Sequence, residues 1–142
     1  YVTKCVKEYD GLYLVEYSDS PEMYVNGAWY YTTGTTYAQS LAYLNNFAVL
    51  ECAKELGIDI EDSTVLSQSD KTILKTILEQ IDKYDPIIVG LSGQVKEFRE
   101  EQYYGDLGEW QHRHAAQLVG IFPGNIINSK TPSTFFLTGV GL

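Results

Sequence analysis

Two stretches of this chain place apolar residues at helical spacing between a polar start and a glycine or proline stop, and they restrict it to folds built around a helix pair. After Thr35 or Thr36 as N-cap, Leu41, Leu44, Ala48, Cys52 and Leu56 fall on one stripe until Gly57. The spacing predicts a helix of about five or six turns. From Ser69-Asp70 onward, Ile73, Leu74, Ile77, Leu78 and Ile81 share a face until Asp85-Pro86 ends it. The two read as an antiparallel helical hairpin whose linker, residues 58–68, has some apolar packing of its own.

The flanks are less regular. Val2, Cys5 and Val6 sit at helical spacing before Asp10-Gly11 and predict the tail of a helix, while Leu12 to Glu16 reads as extended. Residues 17–22 form a polar loop, and 26–34 read as irregular, aromatic-rich chain. β-Branched residues on either side of Ser92-Gly93 predict a small hairpin over 87–98. A third, shorter helix is expected from Glu109 or Trp110 to Val119, stopped by Pro123-Gly124. The last residues, Phe135 to Leu142, are apolar and glycine-rich with no polar cap. Two ragged ends, and helices with no partner layer, imply a mainly α segment of a larger helical assembly, read as one unit over residues 1–142.

Charge narrows the partners. With 19 acidic and 10 basic residues in 142 the formal charge is -9, which repels nucleic-acid phosphates and anionic lipid surfaces. Twelve Tyr and two Trp offer flat apolar faces with polar edges, a property that suits carbohydrate and also serves ordinary cores. Cys5 and Cys52, without a CxxC pair, indicate neither a disulfide framework nor a zinc module. The start lacks the basic region and cleavage site of a signal peptide, no apolar run reaches transmembrane length, and the compartment stays open.

Three stretches carry chemistry-bearing residues. Tyr17-Ser18-Asp19-Ser20-Pro21-Glu22 is followed by Tyr31-Thr32-Thr33-Gly34-Thr35-Thr36-Tyr37 leading into the long helix. Gly93-Gln94-Val95-Lys96-Glu97-Phe98 forms the expected hairpin's second half. His112-Arg113-His114 opens a run that continues through Leu118-Val119-Gly120 to Pro123-Gly124-Asn125. On a helix the two histidines would point in nearly opposite directions, which argues against a metal site and leaves one of them facing a pocket. No cofactor is called for.

Together and in this order, the three stretches resemble glycoside hydrolase family 95, the α-L-fucosidases acting on α-1,2-linked fucose. They are similar to its SPEN loop and YTAG-type helix start, its GQ-x-x-EW hairpin and its HRH-x-S-H-L-x-G-L-x-PG signature. The resemblance implies an (α/α)6 toroid, of which this chain supplies the middle-to-late part, and a glycan as substrate. It places the proton donor at Glu22, whose burial among Tyr24, Trp29 and Tyr30 is expected to raise its pKa. Arg113 and His114, with His112, would grip sugar hydroxyls. Gln94 and Glu97 would line the mouth, and Trp29 and Trp110 would stack on sugar, though core packing is the commoner fate of tryptophan.

Departures from the family pattern stand at Met23, Ala38, Ala116, Gln117 and Phe135. The N-x-N and IDGN segments that the resemblance assigns to water activation are not in this sequence, so an inverting mechanism has at most half of its groups here. Two rival readings follow. One is a relative that binds glycan without cleaving it. The other is a helical interaction module that self-associates or binds a partner through its apolar faces.

Overall fold

The computed structural model describes residues 2–109 and 111–131. It opens on a β-hairpin: β1 (Val6–Tyr9) pairs antiparallel with β2 (Leu12–Val15), Val6 opposite Val15 and Tyr9 opposite Leu12. The helix tail expected before Asp10 is therefore replaced by a strand. The reason lies in Asp10-Gly11, whose φ angles of 49° and 83° make the two-residue turn that matches the twist of paired strands. Asn26-Gly27 repeats the device, with φ of 54° and 80°, between β3 (Tyr24–Val25) and β4 (Ala28–Trp29). The stretch expected to be irregular thus holds a second, short hairpin.

Helix α1 runs Thr36–Glu55 with Thr35 as N-cap, its hydroxyl accepting the Ala38 N–H. Helix α2 runs Gln68–Gln80, started by a capping box in which Ser67 and Asp70 bond each other's backbone N–H. Both helices stand where the spacing predicted, but α1 faces inward differently. Leu41 is 40% exposed and Leu56 74%, whereas Thr36, Gln39, Ser40, Ala42, Asn46 and Ala53 are buried. The polar side chains among these are inside because they bond to the chain that α1 packs on. Gln39 accepts the Val15 N–H at 2.6 Å and donates to the Tyr13 carbonyl at 3.2 Å, so it joins the helix to the edge of β2. Ser40 donates to the Pro86 carbonyl, and Asn46 to the Tyr84 hydroxyl at 3.1 Å. On α2, Leu74 and Ile77 are buried while Ile73 and Leu78 lie open, at 40% and 50%.

The core has two parts. One gathers Val6, Val15, Ala42 and Tyr84, with Tyr13, Ala38 and Tyr43 against it. The other gathers Ile87, Val95 and Ile127, with Leu118, Ile121 and Ile126. Between 87 and 98 a minimal hairpin forms: Val89 bridges Val95 antiparallel, and Gly90 N–H donates to the Gln94 carbonyl. The third helix is not there. Residues 111–115 are non-helical, and only a single 3₁₀ turn, Ala116–Leu118, follows. Among the described residues no helix is long and apolar enough to cross a membrane. Trp110, Phe135 and the end from Leu137 lie outside the described residues.

Candidate active site

Ser20, Pro21, Glu22 and Met23 make a β-turn closed by the Met23 N–H on the Ser20 carbonyl at 3.0 Å. Proline suits its second position by fixing φ. Glu22 takes the third with φ 58°, a left-handed conformation that glycine tolerates best. Met23 is 1% exposed, its thioether against Gly108 where a Cβ would collide with the sulfur, and it accepts the Glu109 N–H. The departure at Met23 is thus an anchor facing the interior, beside the carboxyl rather than in the cleft.

Residues 112–114 meet this turn from the far end of the chain. Glu22 Oε2 accepts from Arg113 Nη2 and, at 2.8 Å, from His114 Nε2, across 91 and 92 residues of sequence. The His112 side chain is 3% exposed. Its Nε2 lies 3.2 Å from the Pro21 carbonyl and its Nδ1 2.9 Å from Glu109 Oε2, so both nitrogens face acceptors and a neutral ring donates to only one. Both histidine rings meet edge-on at 5.2 Å. Of the two histidines only His114 lines the open cleft beside this turn, as expected, although the helix on which that expectation rested does not form. An α-helix spaces successive side chains roughly 100° apart, and three neighbours reaching one turn require an irregular backbone.

The electrostatics also differ from expectation. The Glu22 side chain is 45% exposed rather than enclosed by aromatics. The hydrogen bond from His114 holds its carboxyl below the usual range, against some desolvation, and the Arg113 charge adds to the effect. Trp29 stays on β4 against Tyr24, ring centroids 4.5 Å apart, and is 46% exposed. An open cleft of about 400 Å³ lies beside the pair, walled by Pro21, Tyr37, Arg113, His114, Val119 and Phe122.

Gln94 and Glu97, expected at the mouth, are buried instead, at 4% and 3% exposure. Neighbouring Val95 and Phe98 are fully buried as well, so this stretch is covered on more than one side. Gln94 accepts from the Ser92 hydroxyl, and its Nε2 has no hydrogen-bond partner among the described residues. Glu97 accepts from the Ser20 hydroxyl, and burial pushes its carboxyl up, opposed by that bond. Glu101, which sequence reasoning passed over, is 1% exposed and accepts the Glu97 and Phe98 N–H groups. Burial raises its pKa from 4.5 to about 7. The only hint was its place in the acidic run after Phe98. Gln117 is also buried, its Oε1 without a partner among the described residues, and no described group of three or more His, Cys, Asp or Glu gathers as for a metal ion.

A carboxyl flanked by an imidazole and a guanidinium, these two lining a cleft with Tyr37 and Phe122, is a polar set suited to neutral hydroxyl-rich molecules. The chain matches the glycosyl hydrolase family 95 catalytic domain over residues 1–138, and it belongs to that family. Over 72 residues it is 33% identical to a protein of Aspergillus oryzae named probable alpha-fucosidase A. The aligned part is 49% of this chain and 10% of that relative, so the match spans about a tenth of the relative's length.

Proposed function

We propose that the protein carrying this chain removes terminal α-1,2-linked L-fucose, or α-L-galactose, from oligosaccharides by inverting hydrolysis. Residues 1–142 are then part of an (α/α)6 catalytic toroid. Glu22 is the proton donor, and Arg113 and His114 hold sugar hydroxyls, with His112 behind them. The water-activating groups come from outside these residues. The observation that carries the reading is the meeting of Glu22 with Arg113 and His114 from opposite ends of the sequence.

A glycosidic proton donor must be protonated when substrate is bound. In the free site His114 and Arg113 hold Glu22 ionised. Sugar hydroxyls that take over those two donors remove what stabilises the carboxylate, and exclusion of water by the ring adds desolvation. Substrate binding thereby raises the proton affinity of Glu22, and the same contacts that recognise the sugar arm the acid. Family membership supports the toroid, and so do the open apolar side chains of α1 and α2, Phe47, Leu56, Ile73 and Leu78, which neighbouring helices would cover.

The test is the complete enzyme on an α-1,2-fucosyl-galactoside, with NMR reading the anomer first released. Release of the inverted anomer, and its loss in Glu22→Gln, are expected. A complete enzyme that cleaves neither α-L-fucosides nor α-L-galactosides ends the proposal.

A further inference from the structure

Glu97 has no part in the chemistry above, yet it is buried and tied to the Glu22 turn across 77 residues of sequence by the Ser20 hydroxyl. Ser20 is fully buried, and its carbonyl closes that same turn on Met23. Glu97 is itself fixed on both sides. Its N–H donates to Glu101 Oε2 at 2.8 Å, and its carbonyl accepts the Thr36 N–H at the start of α1 at 3.1 Å. On the other flank of Glu22, the Pro21 carbonyl meets His112 Nε2. Glu22 therefore holds its left-handed backbone between two side-chain tethers, and a disfavoured conformation persists only where the surroundings over-determine it.

We propose that Glu97 is a positioning residue: by accepting the Ser20 hydroxyl it locks the 20–23 turn so that the Glu22 carboxyl is delivered to Arg113 and His114. The assignment rests on Glu22 as proton donor for its effect on rate, and on geometry alone for its effect on Glu22. A purely structural Glu97 would alter stability and leave the acid's titration where it was. A positioning one moves it, because the His114 and Arg113 contacts that hold Glu22 ionised depend on where the turn presents it.

The experiment takes the complete enzyme as wild type, Ser20→Ala, Glu97→Ala, Glu97→Gln and the Ser20→Ala/Glu97→Ala double variant. It reads kcat and KM on an α-1,2-fucosyl-galactoside, and the titration of Glu22 by NMR of carboxyl-¹³C glutamate, assigned through Glu22→Gln. Displacing a reacting group slightly costs up to about 100-fold, so kcat should fall roughly 10- to 100-fold in Ser20→Ala and in Glu97→Ala with KM little changed. The double variant should be no worse than either, and Glu97→Gln, whose amide oxygen accepts the same hydroxyl, should recover most of the rate. The Glu22 titration should move up toward the ordinary glutamate range in both alanine variants and stay in place in Glu97→Gln. A Glu97→Gln enzyme as impaired as Glu97→Ala, or a Glu22 titration unmoved in Ser20→Ala, overturns the proposal. A wild type without activity removes the proton-donor reading, while the titration still decides the positioning. Ser20→Ala deletes one hydroxyl and keeps the question answerable should Glu97→Ala not fold.

Discussion

Glu101 should make the fold less stable as pH rises, and replacing it with Gln should abolish that dependence. Its carboxyl is 1% exposed and titrates at about 7 instead of 4.5, because burial, with Glu97 and Asp106 facing it, outweighs the two backbone N–H groups it accepts. An acid whose pKa is raised by folding binds its proton more tightly in the folded state. Its contribution is therefore complete below the unfolded value and is lost as pH climbs through the folded one. At about 1.4 kcal/mol per pKa unit, the loss between about pH 5 and pH 8 is on the order of 2–3 kcal/mol. Glutamine keeps an oxygen for the Glu97 and Phe98 N–H groups and has nothing to ionise. Urea unfolding of both proteins across this range should show Glu101→Gln nearly matching wild type at the acid end and gaining on it steadily toward the alkaline end. A constant difference, or a wild type that gains on the variant as pH rises, would refute the reasoning, since either means a Glu101 already ionised in the folded state.

Other expectations can be checked directly. Glu22→Gln keeps the shape of the donor and removes its proton, so kcat on an α-1,2-fucoside should fall roughly 100- to 10,000-fold in steady-state assays, the worth of a general acid. If sugar displaces His114 and Arg113 from Glu22, the alkaline limb of the kcat profile should lie at higher pH than that of kcat/KM; coincident limbs would remove the arming step. Gln39→Leu strands the Val15 N–H and the Tyr13 carbonyl against a buried apolar side chain and should cost about 2–4 kcal/mol in urea unfolding. Ser67→Ala removes half of the capping box of α2 and should cost about 1 kcal/mol by the same measurement.

The parts of this fold that were legible in the sequence are those fixed by local rules. Thr35 and Gly57 punctuate α1 because capping needs only neighbours, whereas α2 starts two residues before the expected Ser69, at the capping box of Ser67. Asp10-Gly11 and Asn26-Gly27 are equally local hairpin signals, but read as a helix stop and as irregular chain they leave the β1–β2 and β3–β4 pairs unannounced. The inner face of α1 was not legible, because Gln39, Ser40 and Asn46 are inside for bonds to Tyr13, Val15, Pro86 and Tyr84, distant in sequence. The site divides the same way. The residue types at 22, 113 and 114 announced one polar set through the family pattern, and the fold brings that set together. Their environment was not legible, since the state of Glu22 depends on which side chains reach it in space.

One physical conflict links these cases. Local preference would give Glu22 to glycine, residues 111–119 to a helix and the inside of α1 to leucine, and the structure overrides all three. Each override has a nearby compensation. The Ser20 hydroxyl and the His112 ring brace the turn that Glu22 strains. The contacts of Arg113 and His114 replace the helical order that residues 112–114 forgo. The amide of Gln39 and the hydroxyl of Thr36 tie α1 to the strand before the turn and to the Lys96 carbonyl beside Glu97. Where local rules fail together and are repaired by buried polar bonds, the polar bonds are there to hold geometry, since apolar packing alone would have satisfied stability. That is why the tethers of Glu22, more than the exposed carboxyl itself, are the parts of this site whose removal should be felt in its titration.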